Sequence, residues 1–347
     1  MKTILGIVCL VLTVVNLKAE TRQKEFSKRF DKRGIQEIVI SNRYGQIEVE
    51  QKEGVDIQVS ALLVVTAKTA AKADELLDFI QVKDVVTSTF INIETEFGKD
   101  MGFRRFFSGI DVNITYKVCL PPGIKVRLIQ TEGNVFVDRF DGEINVDIKS
   151  GNFKGGVLKG GKVYIKQSNG SFDISEVGQM TGEFKNGEIK IDKGKDVNLV
   201  ADNCRGRLAS VGILNIRSTG GEMKLGQIED LGGSSSSTKY EVQDIGNVLK
   251  MDMRGGEMNV RNIHFNFDAI ELNATSTKVG LTFMEGAGYE LELKHNKSLK
   301  LDLPRDFRLS TQPTSERNTT VETGFIGNKK FSGKVFLNLK NGSLFIQ

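Results

Sequence analysis

The chain has no tryptophan, two histidines, four prolines and three cysteines in 347 residues. With only His264 and His295 available, a metal site built from clustered imidazoles is all but excluded, as is chemistry that needs several of them. Four prolines exclude a proline-rich linker protein and a collagen-like chain. Neither charge sign dominates: 48 basic and 44 acidic residues alternate without a basic run, which excludes a nucleic-acid footprint. After the first residues no apolar stretch reaches 18, so no later segment is expected to cross a membrane as a helix.

What is present is ordinary globular material, 39% hydrophobic and 27% charged, enough for a sizeable core. Met1–Ala19 reads as a signal peptide: Lys2 precedes the apolar run from Ile4 to Val15, and Ala19 suits cleavage before Glu20. The expected location is therefore outside the cytoplasm of a bacterium, either periplasmic or on the cell surface. Cleavage removes Lys2 and Lys18, leaving 46 basic against 44 acidic residues, a net charge of +2. It also leaves Cys119 and Cys204, which read as isolated buried thiols, although an exported compartment permits a disulfide.

Glycine is abundant at 37 residues, and more than half lie between Gly133 and Gly256. Gly133, Gly142, Gly151, Gly161, Gly170, Gly178 and Gly187 follow at steps of 9, 9, 10, 9, 8 and 9. Each precedes a short run alternating apolar with polar residues, as in Ile144 and Val146, Val163 and Ile165, Phe172 and Ile174, and Ile189 and Ile191. Pairs of steps make a unit of roughly 18 residues. Thr219–Leu225 and Arg254–Val260 are near-duplicates 35 residues apart, about two units. One unit cannot bury its apolar face, whereas stacked units can. The fold expected is all-β: a β-solenoid of stacked short strands, with a β-sandwich as the alternative.

Before the glycine-rich region the texture differs. Glu37–Ser41 and Gln46–Glu50 flank Asn42–Gly45 and read as a hairpin. Helical spacing of Ala73, Leu76, Leu77 and Ile80 predicts one short helix over residues 69–81, placed as a cap on the first coil. Leu120-Pro121-Pro122-Gly123 marks a boundary, giving an N-terminal β region at 20–122 and a repeat domain at 123–347. Gly232–Thr238 reads as a flexible loop, and Val335–Ile346 as a second hairpin around Asn341-Gly342.

Ser41–Ile47, the helix around Ala73–Leu77, the segment Tyr116–Val126 and the recurring Gly-x-apolar-x-apolar turns occur in this order across most of the chain. The layout resembles a bacterial family of exported, adhesin-labelled domains with unknown biochemical function. The resemblance implies adhesion and brings no catalytic motif to these positions.

No motif for a catalytic group, a metal or a cofactor stands out. Gly156–Val163 fits the P-loop spacing until Val163 replaces the Ser or Thr that reaches the metal, and a strand follows where a helix should. Asp138, Asp141, Glu143 and Asp147 are the acidic group a polysaccharide-cleaving enzyme would need. Lys149, Lys154 and Lys159 intersperse them, as on any solvated strand face. His264 alternates with apolar neighbours and reads as exposed. The candidate binding residues are Phe103, Arg104, Arg105, Phe106 and Phe107, within the glycine-bounded segment Phe97–Gly109. Phenylalanine beside arginine suits a protein contact or insertion among lipid headgroups, and the same rings suit plugging the core end. The expected function is a non-catalytic envelope surface that binds a protein or glycan or acts as a scaffold. Its alternatives are a carbohydrate-active enzyme and a periplasmic accessory of envelope signalling.

Overall fold

The computed structural model describes residues 19–54, 56–98, 109–305, 307–314, 316, 318–331 and 333–347. Residues 1–18 of the predicted signal peptide, and Phe103, Arg104, Arg105, Phe106 and Phe107, lie outside the described residues. The described residues are all-β with one α-helix.

Strands pair mainly in parallel with their own counterparts one unit away. In one series β2 (Glu37–Asn42) pairs with β8 (Lys125–Gln130), β8 with β10 (Ile144–Ile148), and β10 with Val163–Gln167. In the other, β3 (Gly45–Gln51) pairs with β9 (Gly133–Phe140), and β9 with the start of β11, an extended run from Phe153 to Ser236. The stack continues through β12 (Lys239–Arg254), β13 (Glu257–Ile263), β14 (Ala269–Phe283) and β19 (Gly333–Ile346). Between β14 and β19 the chain inserts β15 (Gly288–Asn296), β16 (Leu299–Asp302), β17 (Ser310–Gln312) and β18 (Thr319–Gly327). There β15 and β18 pair antiparallel.

Period-two alternation explains the core. Ile144, Val146, Val163, Ile165, Phe172, Ile174, Ile189 and Ile191 are all buried, each pointing away from a polar neighbour. Counterparts in successive units meet face to face, as in Phe153 and Phe172, whose rings stack 5.1 Å apart, and Phe184 packs its ring at a tilt against Phe172 at 5.0 Å.

Corners recur with the same period. Asn169, Asn186, Asn203, Gly220 and Ser237 hold positive φ of 56°, 52°, 53°, 65° and 54°, and they are evenly spaced along the sequence. Asparagine tolerates this region better than most side chains. Its amide also ties the units together: Asn203 donates to Asn186 Oδ1 at 3.2 Å, and Asn186 to Asn169 at 3.5 Å. The residue after each corner passes close to the preceding unit. A Cβ on Gly170 would lie 1.8 Å from the Gly151 carbonyl oxygen.

Farther along, corners alternate between Gly-Gly (220–221 and 255–256) and Ser-Thr (237–238 and 276–277). Where threonine stands, its hydroxyl donates to the corner carbonyl one unit earlier, Thr238 to Gly220 at 3.1 Å and Thr277 to Gly255 at 3.3 Å. The duplication of Thr219–Leu225 at Arg254–Val260 is this two-unit alternation.

Three local expectations are corrected. Asn42–Gly45 is a corner, not a hairpin: β2 pairs with β6 (Phe90–Phe97) and β8, whereas β3 pairs with β7 (Asp111–Leu120) and β9. Asn341-Gly342 is likewise a corner inside β19, both arms pairing in parallel with β14. Gly232–Ser236 is strand, not loop, in register with Lys250–Arg254. The ladder overrides the weak strand propensity of glycine and serine.

The helix α1 (Ala70–Phe79) is capped by Thr69, whose hydroxyl accepts from Lys72 N at 3.4 Å. It buries Ala73, Leu76 and Leu77 and packs on β1 (Glu20–Phe30) and β4 (Ile57–Ala67). Lys28 of β1 lies 2.5 Å from Asp84 of β5 (Ile80–Val86), joining the outermost strands of the two series.

Two outcomes are expected. Phe172→Ala removes a ring packed on both sides and should cost about 3–5 kcal/mol in urea unfolding; a cost below about 1 kcal/mol would contradict the ring stack. Gly170→Ala should lower stability by about 3 kcal/mol, because backbone, not a flexible side chain, blocks the new methyl.

Candidate binding faces

The polar residues of each strand alternate outward and fall into columns that run across the strands. On the series led by β3, Lys190 lies 3.1 Å from Asp173, and Lys239 lies 2.6 Å from Glu241 and 3.9 Å from Glu222. Such exposed pairs add little stability.

One groove of about 740 Å³ on this face is lined by residues including Ser27, Glu48, Glu50, Lys117, Cys119 and Asp138. Of the predicted acidic group, Asp138 lines this groove, whereas Glu143 precedes β10 in the other series and pairs with Lys125 at 3.4 Å. Asp141 and Asp147 are exposed. Gly156–Val163 lies within the extended backbone of β11. Among the described residues no group of three or more His, Cys, Asp or Glu is placed to hold a metal.

His264 is exposed, with Nδ1 3.2 Å from Asn266 Oδ1. His295 is half-buried, with Nδ1 3.1 Å from the Asn296 carbonyl and Nε2 3.6 Å from Glu322. The two cysteines are free, Cys119 half-buried and Cys204 buried; burial pushes the Cys204 thiol above its usual range. A second groove of about 1130 Å³ involves Asn42, Phe79, Thr95, Phe97 and Gly98.

A third groove, about 590 Å³, crosses the series that contains β10. Its walls include Arg217, Asp252, Arg254, Asn273, Asn338 and Lys340, and Ser234, Ser235 and Ser236 form its lowest row. The groove exists because Gly232, Ser234 and Ser236 stand in register with Lys250, Asp252 and Arg254, so one strand carries short side chains between rows of long ones. Beneath it, Ser218 Oγ lies 2.7 Å from Tyr240 OH and 2.8 Å from Thr238 Oγ1. The sequence conceals this row because a Gly-Ser run favours a loop. The signal was present: Gly232 and Ser234 follow Asn215 and Arg217 by the same step that separates the asparagine corners.

No known family model matches the chain, and no curated protein matches it. Among solved structures it is similar to a "putative cell adhesion protein" from Clostridium sporogenes, at 10% identity over 94% of this chain and 99% of that one, with a TM-score of 0.25. It is also similar to a "putative lipid binding protein" from Parabacteroides distasonis, at 15% identity over 76% of this chain and 94% of that one, with a TM-score of 0.33. Neither likeness assigns a role to any residue.

The buried tyrosines give a pH expectation. Burial pushes Tyr240, beside Ser218, and Tyr116, beside Thr95, up to about 12. An unfolded tyrosine titrates near pH 10. Their contribution is therefore fully present below about pH 10 and is lost as pH rises toward 12. The urea midpoint should fall between pH 8 and pH 11 for the native chain and fall less for Tyr240→Phe. An equal fall in both would contradict the assignment.

Proposed function

We propose that the chain is a non-catalytic binding or scaffolding protein of the bacterial envelope, built as a β-solenoid whose flat outer faces carry the function. The observation behind this reading is the parallel pairing of strands with their own counterparts, at a nearly constant step along the sequence from β8 to β13. Such stacking turns each outward position into a column that crosses many strands, giving an extended surface of fixed spacing. A sandwich gives successive strands no reason to share corners and register. The leader at Met1–Ala19 and the resemblance to exported adhesin-labelled domains support an envelope location.

Cell fractionation tests the location, and incubation with a polysaccharide panel tests the non-catalytic half. The expected chain begins near Glu20, lies outside the cytoplasm and leaves the polysaccharides at their original length. A cytoplasmic chain that retains Met1–Ala19 would overturn the location, and new reducing ends or unsaturated products would overturn the non-catalytic reading.

A further inference from the structure

We infer that the groove across Arg217, Ser234, Arg254, Asn273 and Lys340 binds an acidic polysaccharide; the inference deepens the binding reading above and rests on it. Three observations support it.

The first is charge. Arg217, Arg254 and Lys340 line the groove, and among the described residues none of the three is paired with a carboxylate. Lys190, Lys224 and Lys239 on the other series all have one. The one carboxylate in the lining, Asp252, already accepts from Asn273 Nδ2 at 2.9 Å. The groove therefore sets three basic side chains against one carboxylate in its lining, with Glu316 acting on Lys340 from outside it.

The second is the polar chain across its wall. Asn338 Nδ2 donates to Asn273 Oδ1 at 3.3 Å, and Asn273 donates to Asp252, which orients both amides. This leaves Asn338 Oδ1 buried with no hydrogen-bond partner. The unpaired acceptor costs free energy where it stands, and a turn of the Asn338 amide would bring it to a sugar hydroxyl in the groove.

The third is the kind of lining. Serine, threonine, asparagine and charged side chains dominate it, and it contains no aromatic ring. Bases thus have no ring to stack on, in contrast to single-strand nucleic-acid grooves. Ser234, Asp252, Asn273 and Asn338 lie on strands already paired with neighbours on both sides where they cross the groove, so a peptide finds no open edge to extend. A polyhydroxylated chain uses the donors and acceptors that are there. From the row of Arg217 to the row of Lys340 the groove crosses five strand rows, about 19 Å at the usual strand spacing. That length suits an oligosaccharide stretch better than a single small anion.

Calorimetric titration of the signal-free protein with polygalacturonate, dextran and single-stranded oligothymidylate tests the inference. The expected result is binding of polygalacturonate alone, weakening as salt rises. Affinity should fall at least tenfold in the Arg217→Gln, Arg254→Gln, Lys340→Gln triple variant, and again in Ser234→Phe, with melting temperatures near that of the native protein. Equal affinity in the folded variants would overturn the groove while leaving a binding protein. Equal binding of oligothymidylate would reduce the effect to bulk charge and overturn the ligand class. No binding of polygalacturonate by the native protein would overturn the inference, whereas the location and the lack of catalysis stand or fall on fractionation and product analysis.

Discussion

Everything in this structure depends on how closely one unit's backbone approaches the next at the corner. At Gly151 an added Cβ would sit 1.7 Å from the Gly133 carbonyl oxygen, and at Gly187 it would sit 2.3 Å from that of Gly170. That approach fixes the register of the parallel pairs that follow. Fixed register places Phe172 against Phe153 and Ile165 beside Val146, so the core is a consequence of the corner rather than its cause. Sheets with weaker register slip by one residue and turn their apolar side outward. Here a one-residue slip would also drive backbone into backbone.

The alternation and the period were legible in the sequence, and so was the helix, because each rests on local chemistry: period two for strands, and spacing of three and four residues for Ala73, Leu76 and Leu77. What was not legible was partner choice. Asn42–Gly45 and Asn341-Gly342 look like hairpin turns because the same residues that permit positive φ serve both a hairpin and a corner. Only the ladder shows that β2 and β3 leave in different series. Gly232–Ser236 misled for the opposite reason. Its composition favours a loop, and its neighbours in space, Ile216 before it and Met251 after it, make it a strand. The groove was lost with it, since a loop has no outward column. The candidate residues Phe103–Phe107 lie outside the described residues.

Core and surface obey different rules in the same strand. Inward positions are interchangeable in size along a column, as Phe153, Phe172 and Ile189 show, because neighbouring units adjust together. Outward positions are free of packing and therefore free to carry charge in patterns. One series uses that freedom to compensate itself through Lys190, Asp173, Lys239 and Glu222. The other pairs Lys250 with Glu271 and sets Arg217, Arg254 and Lys340 with Asp252 around a row of serines.

Removing one unit tests the corner-and-register account most directly. Deleting Gly187–Asn203 takes out one whole corner-to-corner step and joins one corner asparagine to the start of the next unit. Deleting Gly187–Lys195 takes out about half of that and puts each inward column out of phase. The account predicts that the full-unit deletion keeps its β-rich circular dichroism spectrum and cooperative unfolding, while the half-unit deletion loses both. Equal damage from the two deletions would contradict it.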